Sequence, residues 1–205
     1  VTTATTATAS ARSDMAKDYA AIATQYAEDV VNSRIPACKW VRLACQRHLK
    51  DMVRASDGWV YQFNPELVDI KTTKAYRPAT RVCLFAELMH HTKGDWAARG
   101  ERIRLEPWQV FILCSIFGWI DSRTGKRRFR SADVFVPRKN SKSILAAVIG
   151  LFMLAVDQEH GAEVYSGATS LKQAMEVFKP ALQMARQAPE FRQARRRRIA
   201  QLRHR

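Results

Sequence analysis

The 205-residue chain has little cysteine, glycine or proline, and fewer acids than bases. Its four cysteines, Cys38, Cys45, Cys83 and Cys114, form no C-x-x-C pair, so neither a zinc ribbon nor a redox motif is indicated. They read as small core residues of a reducing compartment. Eight glycines and seven prolines are too few for a collagenous or linker-like chain. The longest apolar run, Ile144 to Val156, has 13 residues, short of the ~18 that span a bilayer. Val1 to Ala11 is a threonine–alanine tract without the apolar stretch of a secretory leader. These shortages predict a soluble chain of the cytoplasm with no membrane partner.

The charge balance departs furthest from the ordinary. Lys and Arg number 34 against 19 acids, a formal net charge of +15. Residues 1–100 carry 14 basic and 10 acidic groups, and residues 101–205 carry 20 and 9. The last twenty positions alone hold eight Arg and one Glu. Such an excess points to a polyanion, whether nucleic acid, nucleotide or anionic lipid; a merely solubilising surface is the plainer alternative. With 47% apolar and 26% charged residues the chain is no disordered polyampholyte, and its length allows one generous domain or two small ones.

Periodicity predicts a helical first half. Asp14 suits the N-cap of a helix to about Asn32, and Pro36 opens a second. That second helix places Trp40, Leu43, Ala44, Leu49 and Met52 on roughly one face and stops near Asp57-Gly58. Trp59, Tyr61 and Phe63 alternate in an extended piece that Asn64-Pro65 ends. A helix over 79–91 presents Val82, Phe85, Leu88 and Met89, with Gly94 as its stop. His90 and His91 have no acid or cysteine at ligand spacing and read as helix-end residues.

The second half alternates. Pro107 opens a helix to about Gly118, and Asp121 to Gly125 is a turn. Phe129 to Val136 reads as a strand finishing in Val134-Phe135-Val136, closed by Pro137. The polar loop Arg138-Lys139-Asn140-Ser141-Lys142-Ser143 leads into the apolar helix 144–156, which is expected to be buried all round. Ala162 to Ala168 reads as a second buried strand, and Thr169 or Ser170 caps a helix to about Gln187. Strand, loop, helix, strand, helix is the pattern of a parallel α/β sheet.

A strand that ends in a polar loop feeding a buried helix is the layout that binds phosphate, because the helix N-terminus offers free N–H groups and positive dipole. Lys142-Ser143 stands where a phosphate-binding lysine and a Mg²⁺-ligating hydroxyl belong. Against G-x-x-x-x-G-K-[ST] the match fails at both glycines, which are Val136 and Ser141 here. An ordinary basic loop is the competing reading.

The ordered segments Leu105-Glu106-Pro107-Trp108-Gln109, Phe117-Gly118-Trp119, Val136 to Ser143, and Ala162 to Thr169 with Gln173-Ala174 resemble the large terminase subunit of tailed bacteriophages. His90 to Trp96 extends the likeness upstream, so that it covers about residues 35–190. That family uses a deviant phosphate loop without the first glycine. Ser141 remains a departure, tolerable where its φ stays negative.

The resemblance implies an incomplete P-loop, RecA-type α/β domain and a DNA-packaging ATPase with ATP and Mg²⁺ as cofactors. It casts Gln109, beside Trp108, as the adenine-sensing residue. Pro137, Arg138, Lys139, Asn140 and Ser141 become the loop, with Arg138 at the γ-phosphate. Lys142 meets the β/γ-phosphates and Ser143 the Mg²⁺. For Gln109 the plainer role is a surface helix residue, and for Trp108 and Trp119 it is core packing. The implied partners are double-stranded DNA, the small terminase subunit and the portal protein, in the bacterial host cytoplasm.

The implied division is 1–34 as a poorly ordered or helical N-terminal segment, 35–100 as a helical lead, 101–190 as the incomplete nucleotide-binding ATPase domain and 191–205 as a basic tail. Hydrolysis in this class needs a further strand ending in Asp-Glu. Between Ala168 and Arg205 the only acids are Glu176 and Glu190. Asp157 and Glu159 lie about 20 Å from the start of the loop helix at 1.5 Å per residue. The expected reading is therefore a truncated subunit without turnover or nuclease. Seven arginines in Arg192–Arg205 suit a shifted reading frame, a nucleic-acid-binding arm or a solvated tail. A non-catalytic basic DNA-binding remnant is the alternative for the whole.

Overall fold

The structure, a computed structural model, describes residues 17–69, 72–157 and 161–188. The Arg-rich tail and the expected Asp14 cap lie outside them. The described residues divide into two compact units, one of those up to Thr80 with Val110–Phe129 and one of Arg81–Gln109 with those from Arg130 onward.

In the first unit, helix α1 (Tyr19–Val31) is capped by Asp18, whose carboxylate accepts the Ala21 N–H at 3.0 Å. Tyr19, Ala23, Ala27 and Val30 recur at helical spacing and are fully buried. Helix α2 (Lys39–Ser56) packs on α1 and ends at Asp57, as the sequence indicates. The face it buries is a different one. Cys45, His48 and Asp51 point inward, while Trp40 is 74% exposed and Leu43 is also exposed. Two aspects of α2 carry apolar residues, and the aromatic cluster below selects the one bearing His48.

Strand β1 (Tyr61–Phe63) follows, then β2 (Leu67–Val68) and β3 (Ala75–Tyr76), which pair as a short antiparallel hairpin. Asn64 closes β1 at φ 51° and takes the Ala79 N–H on its side-chain oxygen at 2.9 Å. Helix α3 (Pro78–Leu88) buries Val82 and Phe85, with Met89 just beyond its end, but leaves Leu88 exposed. Gly94 does not stop it; at φ 78° it begins the short helix α4 (Gly94–Ala98).

Helix α5 (Pro107–Phe117) starts at its proline as read, and β4 (Trp119–Asp121) pairs antiparallel with β1, Phe63 opposite Trp119. The two are brought close by Gly118, where a Cβ would meet the Cys114 carbonyl oxygen at 2.5 Å and the Phe63 ring at 2.9 Å. Trp119 is 2% exposed, which makes it a core residue. The turn after β4 is also as read: the Asp121 carboxylate takes the N–H groups of Arg123 and Thr124, and Gly125 adopts φ 67°.

In the second unit, helix α6 (Lys142–Ala155) and helix α7 (Leu171–Gln187) pack together. Ser170 caps α7 by accepting the Gln173 N–H at 3.3 Å. Helix α6 is not buried all round. Leu145, Val148, Leu151 and Phe152 face inward, whereas Leu154 is 52% exposed.

The parallel sheet expected from Phe129–Val136 and Ala162–Ala168 is not found among the described residues. The sheets there are two antiparallel pairs, and both stretches run without ladder partners. Phe135 is accordingly 95% and Tyr165 85% exposed. Their alternation meets the side-chain requirement of a strand, but a strand also needs a hydrogen-bonded neighbour.

Candidate functional site

Among the residues singled out in the sequence, seven, Pro137 to Ser143, are contiguous in one loop that runs into α6. Pro137 to Asn140 form a turn, and the Asn140 side-chain amide donates to the carbonyls of Pro137 and Arg138. Lys142 is the first residue of α6. Ser143 follows in the first turn, where backbone N–H groups have no intrahelical acceptor.

The loop contains two left-handed residues, Lys139 at φ 69° and Ser141 at φ 51°. Alternation of this kind turns successive N–H groups toward one side and makes an anion-binding concavity. Ser141 occupies the N-cap of α6 with no side-chain cap bond. Its positive φ removes the condition under which a serine replaces glycine freely. A non-glycine residue held there stores about 1–2 kcal/mol of strain. A glycine, as in the usual motif, would hold this conformation without that strain.

Arg138, Lys139 and Lys142 are exposed, and no ion pair engages them among the described residues. Three cations around a helix N-terminus attract a polyphosphate. A single hydroxyl, that of Ser143, suits the way Mg²⁺ binds with phosphate oxygens and water rather than in a protein cage. Among the described residues no group of His, Cys, Asp and Glu could hold a metal ion by itself.

Gln109 lies elsewhere in the second unit and shares no hydrogen bond with the loop among the described residues. It is buried, and its side-chain oxygen accepts the Glu106 N–H at 2.9 Å while its own N–H donates back to the Glu106 carbonyl at 2.8 Å. Glu106, Pro107, Trp108 and Gln109 thus form the reciprocal half of a capping box. Reading Gln109 as a surface residue is corrected by this burial. The capping role escaped the sequence reading because the box is usually announced by Ser or Thr, not Glu, at its first position. The left-handed Lys139 had no sequence signal either.

Neighbouring elements of this unit are tied by Lys93 to Glu176 at 3.1 Å and by the Phe85 and Phe152 rings at 5.6 Å. His91 stacks on Trp96 and His90 forms a lone bridge with Arg102, in keeping with their reading as helix-end residues.

Residues 107–205 match the family model of the terminase large subunit, ATPase domain. The match takes in Pro107 to Gln109, the loop, α6 and α7, so the resemblance read from the motifs holds over that stretch, just under half of the chain. No curated protein and no solved structure matches the chain. Among the described residues no helix is long and apolar enough to cross a membrane.

Proposed function

We propose that residues 107–205 contribute the nucleotide-binding part of an ATP-driven motor that packages double-stranded DNA into a procapsid. The observation that carries this reading is Lys142 at the first position of α6, behind a loop with left-handed Lys139 and Ser141, inside the stretch that matches the terminase ATPase domain. On this reading Phe129–Val136 and Ala162–Ala168, which run without ladder partners in the structure, would pair as strands of a P-loop sheet. The small terminase subunit and the portal protein are the proposed protein partners.

In this role the Lys142 ammonium balances the β- and γ-phosphates, with the N–H groups of the loop and first turn donating to their oxygens. Arg138 reaches the γ-phosphate. The Ser143 hydroxyl would hold Mg²⁺, whose charge would offset that of the phosphates. Gln109, held by its bond to Glu106, keeps its side-chain NH₂ as a donor to a purine acceptor. Activation of water needs a carboxylate, and Glu176, the one described acid after Ala168, is paired with Lys93.

The 205-residue chain is therefore expected to bind ATP–Mg²⁺ without turning it over. Phosphate release at background rate, together with Mg²⁺-dependent binding of a fluorescent ATP that Ser143→Ala weakens, is the supporting result. Steady Lys142-dependent release would refute the inactive reading; binding indifferent to Mg²⁺ and to Ser143→Ala would refute the site.

A further inference from the structure

The net charge of the first hundred residues is confined to one helix. Helix α2 carries Lys39, Arg42, Arg47, Lys50 and Arg54 against the single acid Asp51, an excess of four. The rest of residues 1–100 is balanced, with nine bases and nine acids.

Burial sorts these charges by side. Asp51 is 4% exposed and faces inward, where Arg128 donates to it at 2.6 Å and Arg54 reaches it at 3.4 Å. Lys39, Arg47, Lys50 and Arg54 are exposed, along with Trp40, Leu43 and Val53. The outer face of α2 thus presents four cations and no carboxylate of its own over about 22 Å of helix rise.

Three of these cations lie over rings, Lys39 over Trp40 at 5.5 Å among them. The Arg47 guanidinium lies over the Phe129 ring at 5.0 Å, and that of Arg54 over Trp59 at 4.1 Å. Such stacking reduces the rotamer freedom lost on binding and leaves guanidinium edges to donate outward, although one Arg54 nitrogen is already directed to Asp51.

We propose that the outer face of α2 is a docking surface for the phosphate backbone of double-stranded DNA. A duplex offers one negative charge per ~1.7 Å of axis, so a spaced row of cations can be neutralised along its whole length. An acidic protein partner would have to place a carboxylate opposite each cation to do the same. The surface lies outside the stretch that matches the terminase domain. The proposal rests on the reading of DNA as a partner, and names where the chain grips it.

The test is duplex binding by the full chain, followed by fluorescence anisotropy with a 30-base-pair random-sequence probe across a salt series. Four contacts give a slope of log affinity against log salt of about −3.6. Lys39→Gln with Lys50→Gln is expected to reduce that slope by about 2 and to weaken binding on the order of tenfold. Lys74→Gln with Lys126→Gln, elsewhere in the same unit, should have a much smaller effect. Circular dichroism verifies that each variant is folded.

If the wild-type chain binds no duplex, both the DNA reading and the proposal fail. If it binds and the α2 variant keeps the wild-type slope, or the control pair lowers it equally, the proposal alone fails. Polyglutamate bound in place of duplex, and released by the α2 substitutions, would assign the face to an acidic protein and also overturn it.

Discussion

Arg128 donates to Asp51 at 2.6 Å, and its guanidinium lies over the rings of Trp59, Tyr61, Trp119 and Phe129 at 4.5 to 5.8 Å. The pair links the β4 turn to α2 within the first unit, with Asp51 almost wholly out of water. Removing Arg128 leaves the buried Asp51 carboxylate only the longer bond from the more exposed Arg54 at 3.4 Å, which costs up to about 3 kcal/mol. Arg128→Ala should lower the denaturant midpoint by that order. Asp51→Leu combined with Arg128→Met should cost less than Arg128→Ala alone, and chemical denaturation of the three chains checks it.

His48 should give the protein an acid-sensitive limb. It is 3% exposed, packed edge-on against Phe63, Phe111 and Trp119, and neither ring nitrogen has a hydrogen-bond partner. Burial pushes its pKa down from 6.5 to about 4, with Asp51 opposing and Arg47 assisting. The unfolded chain therefore binds the proton first as pH falls. Stability is full above pH 6.5 and declines toward pH 4 by roughly 3 kcal/mol. His48→Phe should flatten that decline in thermal unfolding followed across this window, and an unchanged slope would contradict the assignment.

Ser141 tests the strain in the loop. At φ 51° a glycine removes the Cβ penalty, so Ser141→Gly is expected to stabilise the chain by about 1 kcal/mol. The same substitution should tighten ATP binding. A destabilised variant with unchanged affinity would show that the left-handed conformation is not needed there.

Gln109 separates two roles. Gln109→Ala removes the acceptor for the Glu106 N–H and should cost about 1 kcal/mol of stability. Gln109→Glu keeps an acceptor and suits the helix N-terminus, so stability is retained. Loss of ATP affinity in Gln109→Glu without loss of stability would support base recognition; equal affinity would leave Gln109 as a cap.

Sequence alone was most informative where a residue type meets a local requirement. Pro107 at the start of α5, Ser170 capping α7, Asp121 and Gly125 in their turn, and Lys142 at the head of α6 are all fixed by backbone chemistry a few residues wide. It was least informative where a distant partner decides. The inward face of α2 depends on the rings that surround His48. The strands expected at Phe129–Val136 and Ala162–Ala168 depend on neighbours absent from the described residues. At the candidate site the cations were legible, whereas the left-handed Lys139 and Ser141 and the cap made by Gln109 are conformational facts without a residue signature.

The most direct test of the central claim is an equilibrium titration of ATP–Mg²⁺ into the wild-type chain and into Lys142→Ala. Lys142 is exposed and makes no ion pair among the described residues, so its loss should leave thermal unfolding unchanged. The account expects saturable binding to the wild type that Lys142→Ala abolishes. No binding to either chain, or equal binding to both, would contradict it.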